Sequence, residues 1–244
     1  MAVCYIVGAA PFSEEILTQR DDFIIAADGG QAALKARAIL PDLVVGDFDS
    51  SLPPDSVPYV KHPVEKDDTD TALAIREGLM RGYSAFVLYG CTGGRPDHTY
   101  AVVQSMLSAA KKGAWLFLVG EGMVGTVLVN RGAVFFPKGH VSVFSLTDEA
   151  TGVTLEGLQY PLKDASLTND FPLGVSNAGN GDKATVCVKK GALYLLWQSD
   201  EPFSPYEFLK YNSQKKVNEY LQNTDFRKKC LICEQKEPIK SSFC

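Results

Sequence analysis

The sequence has no apolar run long enough to cross a bilayer: the longest, such as Ala114 to Gly120, fall far short of the roughly 20 residues a spanning helix needs. It has no basic stripe either. Lys and Arg are scattered and the formal net charge is −5, which gives no support to a nucleic-acid partner but would welcome a cationic small molecule. No basic segment precedes the apolar stretch Val3 to Ala10, as a secretory leader would require, so the expectation is a cytoplasmic protein. Histidine is scarce, with His62, His98 and His140 far apart, and this works against a zinc site in the tail. Cys230 and Cys233 have a suitable spacing, but Cys244 is the one further ligand candidate nearby and a closed site needs four.

What is present favours a folded α/β protein. A chain of 244 residues that is 45% hydrophobic can hold one large domain or two small ones. Cys4, Cys91 and Cys187 fall inside strand-like apolar runs, where a reduced thiol behaves as a small hydrophobe, as in a reducing compartment. Val3 to Val7, Phe23 to Ala27 and Leu43 to Val45 read as strands, with Tyr59-Val60 as a fourth; a helical stretch, Gln31 to Ile39, follows Gly29-Gly30. From Asp68 a second helix carries Ala72, Ile75 and Leu79, capped by Asp or Thr and ended by Gly82. Ala85 to Tyr89 is the next strand. Asp97 is expected to cap a helix bearing Val102, Met106 and Ala109, closed by Gly113 before the strand Trp115 to Val119.

After about Gly122 the alternation stops. Short strands follow at Thr126 to Asn130, Ala133 to Phe136, Val141 to Leu146, Val153 to Leu155, Ala184 to Val188 and Leu193 to Trp197, divided by turn residues, most visibly Asn177 to Asp182. The expected fold is therefore α/β: an N-terminal, mostly parallel sheet flanked by helices, followed by a small C-terminal β-sandwich domain. The expected division is 1–122 for the α/β domain, 123–198 for the sandwich and 199–244 for an extension. That extension is rich in Lys, Glu and Gln, with a weak helical phase through Val217, Tyr220 and Leu221, and is expected to be a solvated helix or loose tail without chemistry.

Two acidic runs, Gly46-Asp47-Phe48-Asp49-Ser50 and Lys66-Asp67-Asp68-Thr69-Asp70, lie where an apolar segment ends or a helix begins. Carboxylates are rarely buried without a partner or a metal. In a parallel sheet the loops at the carboxyl ends of the strands form the ligand crevice. Asp28-Gly29-Gly30, the pair Asp47 and Asp49, and Gly90 to Asp97 each follow a strand, and Asp70 sits in the first turn of a helix opening at that edge. Oxygen ligands of this kind suit Mg²⁺ with substrate phosphates, which implies a nucleotide. Gly90-Cys91-Thr92-Gly93-Gly94-Arg95 supplies a glycine loop and a guanidinium fork for phosphate oxygens, and Lys66 is a second cation candidate. Taken singly, each motif is ordinary turn or cap chemistry; their order at the same end of successive strands is the signal. No G-x-x-x-x-G-K-[ST] loop and no protein-kinase loop set occurs, which disfavours ordinary P-loop phosphoryl transfer.

Together with Gly93-Gly94-Arg95-Pro96-Asp97-His98 and Ser176-Asn177, these runs resemble the thiamine pyrophosphokinases over about residues 1 to 198. The resemblance implies a homodimer with its site between subunits, and transfer of diphosphate from ATP to the thiamine hydroxyl with release of AMP. It implies that Asp47, Asp49 and Asp70 bind Mg²⁺ and, with Arg95, carry the catalysis. ATP would meet Asp28, Gly29, Lys66, Thr69, Thr92, Gly93, Gly94, Arg95, Asp97 and His98, and thiamine would meet Ser176 and Asn177. No general base is named. The family usually has an aromatic residue shortly after the Ser-Asn pair, whereas Ala178-Gly179-Asn180 follows here, so stacking would fall to Phe171 or Tyr194, or the ring would be held in another way. Three rivals share parts of this pattern. The Asp47-Phe48-Asp49 triplet could serve an aspartyl-phosphate phosphatase or the metal grip of a sugar-nucleotide transferase, and a non-catalytic nucleotide or thiamine sensor would keep the pocket without turnover.

Overall fold

The runs Cys4–Val7 (β1), Phe23–Ala27 (β2), Leu43–Gly46 (β3) and Ala85–Tyr89 (β5) are buried at almost every position, as strands covered on both faces must be. The computed structural model describes residues 1–48, 56–61 and 68–212. With Tyr59–Lys61 (β4) and Trp115–Gly120 (β6) these strands pair in parallel in the order β6-β5-β1-β2-β3-β4. The chain steps outward from β1 to β4, then returns to the other side of β1 for β5. This places a topological switch point between β1 and β5, where open α/β sheets bind ligands.

Alternate residues of each strand feed two cores. Val3, Tyr5 and Val7 face Leu34 of helix α1 (Gly30–Ala36), while Cys4 and Ile6 face Leu73 and Ile75 of α2 (Asp70–Met80) and Met106 of α3 (Pro96–Lys111). The periodic set expected for α3, Val102, Met106 and Ala109, is the face it buries; of the α2 set Ile75 is buried while Ala72 and Leu79 are half-buried, and Leu73, Ala74 and Gly78 complete the face that α2 turns to the sheet.

At Gly120 the chain reverses. Glu121 and Gly122 both take positive φ, 56° and 70°, as a two-residue hairpin with the primed twist requires. The next strand, β7 (Met123–Val129), runs antiparallel to β6. Onto it the same sheet adds β14 (Ala192–Gln198), β9 (Lys138–Ser145) and β12 (Asn177–Asn180), reaching ten strands. A second, four-stranded sheet has the order β11 (Leu162–Thr168), β10 (Glu149–Glu156), β13 (Ala184–Cys187), β8 (Gly132–Phe135). Val141, Val143, Leu193 and Leu195 of the first sheet share one core with Ala150, Val153, Leu155 and Val186 of the second, forming the sandwich. The sandwich is thus an outgrowth of the parallel sheet, and residue 122 marks a change of strand direction within that sheet.

Two strands depart from the sequence expectation. The polar segment forming β11 is held by pairing to β10, through register shifts, and Asn177 to Asn180, read as part of a turn cluster, is the edge strand β12 paired to β9. Edge strands of this kind are defined by main-chain bonds, which side-chain alternation does not report.

The extension departs further. Phe203 and Phe208 are buried, their rings within 4.8 to 6.0 Å of those of Trp115, Phe117 and Trp197, and α4 (Pro205–Tyr211) carries Tyr206, whose hydroxyl donates to the Asp22 carboxylate. Buried Asn212 ends this segment. Its Oδ1 accepts from Val134 N–H at 2.7 Å and its Nδ2 donates to Val134 C=O at 2.8 Å, closing the free edge of β8 as another strand would. Residues 199–212 are therefore packed rather than loose; the charged composition of the whole tail hid two core aromatics. The helical phase through Val217 and the cysteines from Cys230 on lie outside the described residues. No described helix is long and apolar enough to cross a membrane.

Asn212→Ala strips two buried main-chain groups of their partner and should cost about 2 to 4 kcal/mol in urea unfolding. A loss below roughly 0.5 kcal/mol would show that the β8 edge is satisfied without it.

Candidate active site

Four loops gather at the carboxyl edge of the parallel strands. After β2, Asp28 holds a left-handed backbone (φ 46°) and donates its N–H to Val45 C=O at 2.8 Å, which ties it to the end of β3. Gly46 lies against it: a Cβ there would meet Asp28 Cα at ordinary van der Waals distance, 3.4 Å. Gly29 is the N-cap of α1, and a side chain on Gly30 would overlap the Val7 carbonyl, so the helix start is pressed onto the end of β1. Asp47 follows β3 directly. Phe48 next to it is also left-handed (φ 56°), with its ring edge-on to Tyr59 at 5.3 Å.

Helix α2 packs across β1, β2 and β3. Its first turn opens at the same edge: Thr69 is the N-cap and its hydroxyl accepts from Ala72 N–H at 3.1 Å, with Asp70 following it. Asp68 pairs with Arg76. Thr71 Oγ1 lies 3.9 Å from Cys91 Sγ, so the start of α2 touches the loop after β5. Burial pushes the Cys91 thiol up to about 11, so it stays protonated and acts as packing.

That loop is built around left-handed glycines, Gly90 (φ 61°), Gly93 (φ 83°) and Gly94 (φ 72°). At the switch point Gly8 N–H donates to Tyr89 C=O and Ala10 N–H to Gly90 C=O, and a Cβ on Gly8 would lie 2.5 Å from Gly90 O. Thr92 rests its methyl on Gly120. Arg95 and Asp97 form a bidentate pair, Nε to Oδ1 at 3.2 Å and Nη2 to Oδ2 at 2.6 Å, and the guanidinium holds the exposed Asp97 carboxyl below the usual carboxylate range. The expected cap differs: Arg95 occupies the N-cap of α3, Pro96 opens the helix and Asp97 turns back to Arg95 instead of capping. His98 follows in the same turn, exposed.

Asp28, Gly29, Asp47, Thr69, Asp70, Thr92, Gly93, Gly94, Arg95, Asp97 and His98 all belong to these loops. Asp49 and Lys66 lie outside the described residues. Among the described residues no group of three His, Cys, Asp or Glu side chains stands ready to hold a metal. The donor chemistry nonetheless fits Mg²⁺, which takes one or two carboxylates and completes its octahedron with water and phosphate oxygens. Two acids on the rim escaped the sequence reading. Glu121 lies beside Gly93, and Glu14 accepts from Gly122 N–H at 3.3 Å; the hairpin that brings them there has no local acidic motif.

Ser176 and Asn177 lie elsewhere, at β12. In the order β12-β9-β14-β7-β6-β5 they stand five strand intervals from β5, about 24 Å at ~4.8 Å per interval. Ser176 is exposed and left-handed (φ 59°), its N–H donating to Ser142 Oγ. Asn177 is buried, and its Oδ1 accepts from both Tyr160 N–H and Ala178 N–H at 2.9 Å, while Nδ2 donates to Tyr160 C=O at 2.7 Å. Tyr194 is not an open stacking face. Its ring packs on Gly125 in the helix-side core, and burial pushes its hydroxyl up to about 12. Phe171 is exposed.

Comparison with known proteins matches both halves. Residues 15–118 match the family model described as thiamin pyrophosphokinase, catalytic domain, and residues 127–193 the one described as thiamin pyrophosphokinase, vitamin B1 binding domain. A thiamine pyrophosphokinase of Bacillus subtilis (strain 168) is 26% identical over 193 residues, covering 72% of this chain and 87% of that protein. The crystal structure of thiamine pyrophosphokinase from Bacillus subtilis superposes with a TM-score of 0.73 at 23% identity, over 82% of this chain and 100% of the other. Thiamin pyrophosphokinase from Candida albicans gives 0.64 at 13% identity, over 81% and 89%. With both halves matched in order and the two sheets carrying the corresponding fold, the chain is an enzyme that belongs to the thiamine pyrophosphokinase family.

Proposed function

We propose that this chain transfers diphosphate from ATP to the hydroxyl of thiamine, releasing AMP, and does so as a cytoplasmic homodimer with Mg²⁺. The observation that carries the reading is the meeting of the Asp28, Asp47, Asp70 and Gly90–Asp97 loops at the switch-point edge of a chain of this family. The thiamine hydroxyl oxygen forms a bond to the β-phosphorus as the bond from that phosphorus to the α–β bridging oxygen breaks. AMP leaves with the bridging oxygen, and the hydroxyl proton passes to solvent. Such transfers pass through a loose transition state, so positioning and charge neutralisation outweigh strong base catalysis.

The residues divide this work. Amides of the left-handed Gly93-Gly94 turn face the phosphates, and the Arg95 fork exchanges Asp97 for phosphate oxygens at little cost because the resting pair is exposed. Asp47, Asp49 and Asp70 would hold Mg²⁺, which supplies charge neutralisation at the transferred diphosphate. Lys66 adds a further cation and His98 lines the nucleotide. The acidic rim draws in thiamine, a permanent cation. Ser176 and the β12 region serve thiamine bound at the other subunit's catalytic edge, since about 24 Å of sheet separates them from their own. On this reading residues 1–122 are the nucleotide half and 123–198 the thiamine half. Buried thiols at Cys4, Cys91 and Cys187 suit a reducing cytoplasm. No observation favours the phosphatase, sugar-nucleotide or sensor readings.

Incubation with ATP, Mg²⁺ and thiamine should give AMP and thiamine diphosphate by phosphorus NMR; inorganic phosphate as the sole product would reject the assignment. Asp70→Asn should lower kcat by roughly a hundredfold or more. Its melting curve should fall only modestly, because a first-turn carboxylate stabilises a helix by about 0.3 to 2 kcal/mol. Arg95→Ala should raise the KM for ATP roughly tenfold and leave that for thiamine unchanged, and Arg95→Lys should recover little, because an ammonium lacks the fork. If both KM values move together, Arg95 acts on the fold rather than on ATP.

A further inference from the structure

We infer that Phe12, clamped by Arg37, is a positioning residue that seats the Gly90–Asp97 loop for ATP, an inference that rests on the function proposed above. The crossover from β1 to β2 carries neither helix nor strand. Parallel strands are usually joined through a helix packed on the sheet, so here other contacts must hold the chain down. The crossover starts between two of the loops assigned to ATP. Ala10 N–H donates to Gly90 C=O at 2.9 Å, and a Cβ on Gly29 would lie 2.9 Å from Ala9 Cβ. Its placement therefore sets the spacing of those two loops.

Phe12 turns its ring onto the end of β5. The ring lies 5.5 Å from that of Tyr89, and its Cδ1 would be 3.1 Å from a Cβ on Gly90, the left-handed residue that opens the loop. Tyr89 depends on this contact. Its hydroxyl is buried with no hydrogen-bond partner among the described residues, so packing against Phe12, and against Tyr5 at 6.5 Å, places the ring in the absence of a polar anchor. Arg37 then holds Phe12 twice over. Its guanidinium carbon sits 3.9 Å over the ring centroid, its Nη2 donates to Phe12 C=O, and its Nη1 donates to Ala33 C=O at 3.2 Å. Arg37 is the C-cap of α1, the helix whose N-cap is Gly29. One side chain thus ties the Phe12 ring and main chain to the element that carries the Asp28 loop. What the clamp fixes is Gly90, and through it the Gly93-Gly94 turn and Arg95. A misplacement of about 1 Å is enough to cost a positioned reaction on the order of a hundredfold.

The test uses the full-length chain as wild type, Phe12→Ala, Arg37→Lys and Tyr89→Phe. Calorimetry with Mg²⁺ gives dissociation constants for thiamine and for an ATP analogue with a methylene bridge between the α and β phosphorus atoms, and steady-state assays give both KM values. Phe12→Ala should weaken the analogue and raise the KM for ATP roughly tenfold. Arg37→Lys should do so roughly threefold, because an ammonium keeps the charge and lacks the planar fork. Thiamine binding should stay within about twofold of wild type in both, since the β12 region is remote from the clamp. Tyr89→Phe removes a hydroxyl that has no partner and should leave every constant unchanged. Analogue binding at wild-type strength in Phe12→Ala overturns the inference, as does an equal loss for the analogue and for thiamine, or a Tyr89→Phe variant as damaged as Phe12→Ala. If Phe12→Ala is too unstable to measure, Arg37→Lys decides by the same split between the two ligands. A wild-type chain that binds the analogue yet makes no AMP rejects the functional reading while the dissociation constants still judge Phe12; one that does not bind the analogue rejects both.

Discussion

The ends of β1 and β5 and the start of α1 meet with no room for a side chain. Gly8 faces the Gly90 carbonyl, Gly90 faces the Gly8 carbonyl, and Gly30 faces the Val7 carbonyl, so three main chains touch where the strand order reverses. The loops at the carboxyl edge of the parallel strands are set out around this point. The β5 loop leaves the strand through the left-handed glycines Gly90, Gly93 and Gly94. The Asp28 loop must turn away over the end of β3, and the start of α2 comes to rest against Cys91. A methyl group at Gly30 would push α1 off the sheet and take Gly29 and Asp28 with it.

The second constraint is continuity. Main-chain hydrogen bonds run across ten strands from β4 to β12, with the tight Glu121-Gly122 turn as the joint between the parallel and antiparallel parts. The extension fastens that joint from behind. Phe203 and Phe208 fill the space between Trp115 and Trp197, Tyr206 reaches Asp22 on the parallel side, and Asn212 completes β8 on the sandwich side. A hinge that brought β12 to β5 would have to break the ladder between them. Under the proposed function the gap must then be closed by a second copy, and rigidity within one chain becomes a precondition for a site shared between two.

What could be read beforehand follows from the kind of force involved. The buried parallel strands, α2 with its Thr69 cap and the acidic loops were legible because burial on two faces, helix periodicity and strand-end placement all leave marks in the residue order. β11 and β12 left none, because their hydrogen bonds come from partners distant in sequence. The same holds for α4: two phenylalanines in a charged segment mean nothing until Trp115 and Trp197 are brought beside them. Asn177 was read as a thiamine residue, yet its carboxamide is taken up by the main chain of Tyr160, seventeen residues upstream, a contact that no local motif reports.

Backbone strain does not single out the site. Left-handed φ costs a non-glycine residue on the order of 1 kcal/mol, and a chain free to choose would put glycine or asparagine there. At turns such as Asn130 and Gly191 it has done so. At Asp28, Phe48 and Ser176 it has not, with φ of 46°, 56° and 59°, nor at Ala38, Glu121 and Asp164, with 55°, 56° and 51°. Phe48 keeps its side chain for the edge-on contact with Tyr59. Asp28 ties its loop to Val45 and Ser176 ties the start of β12 to Ser142, so at both positions the unusual backbone secures a hydrogen bond that holds the loop to the sheet.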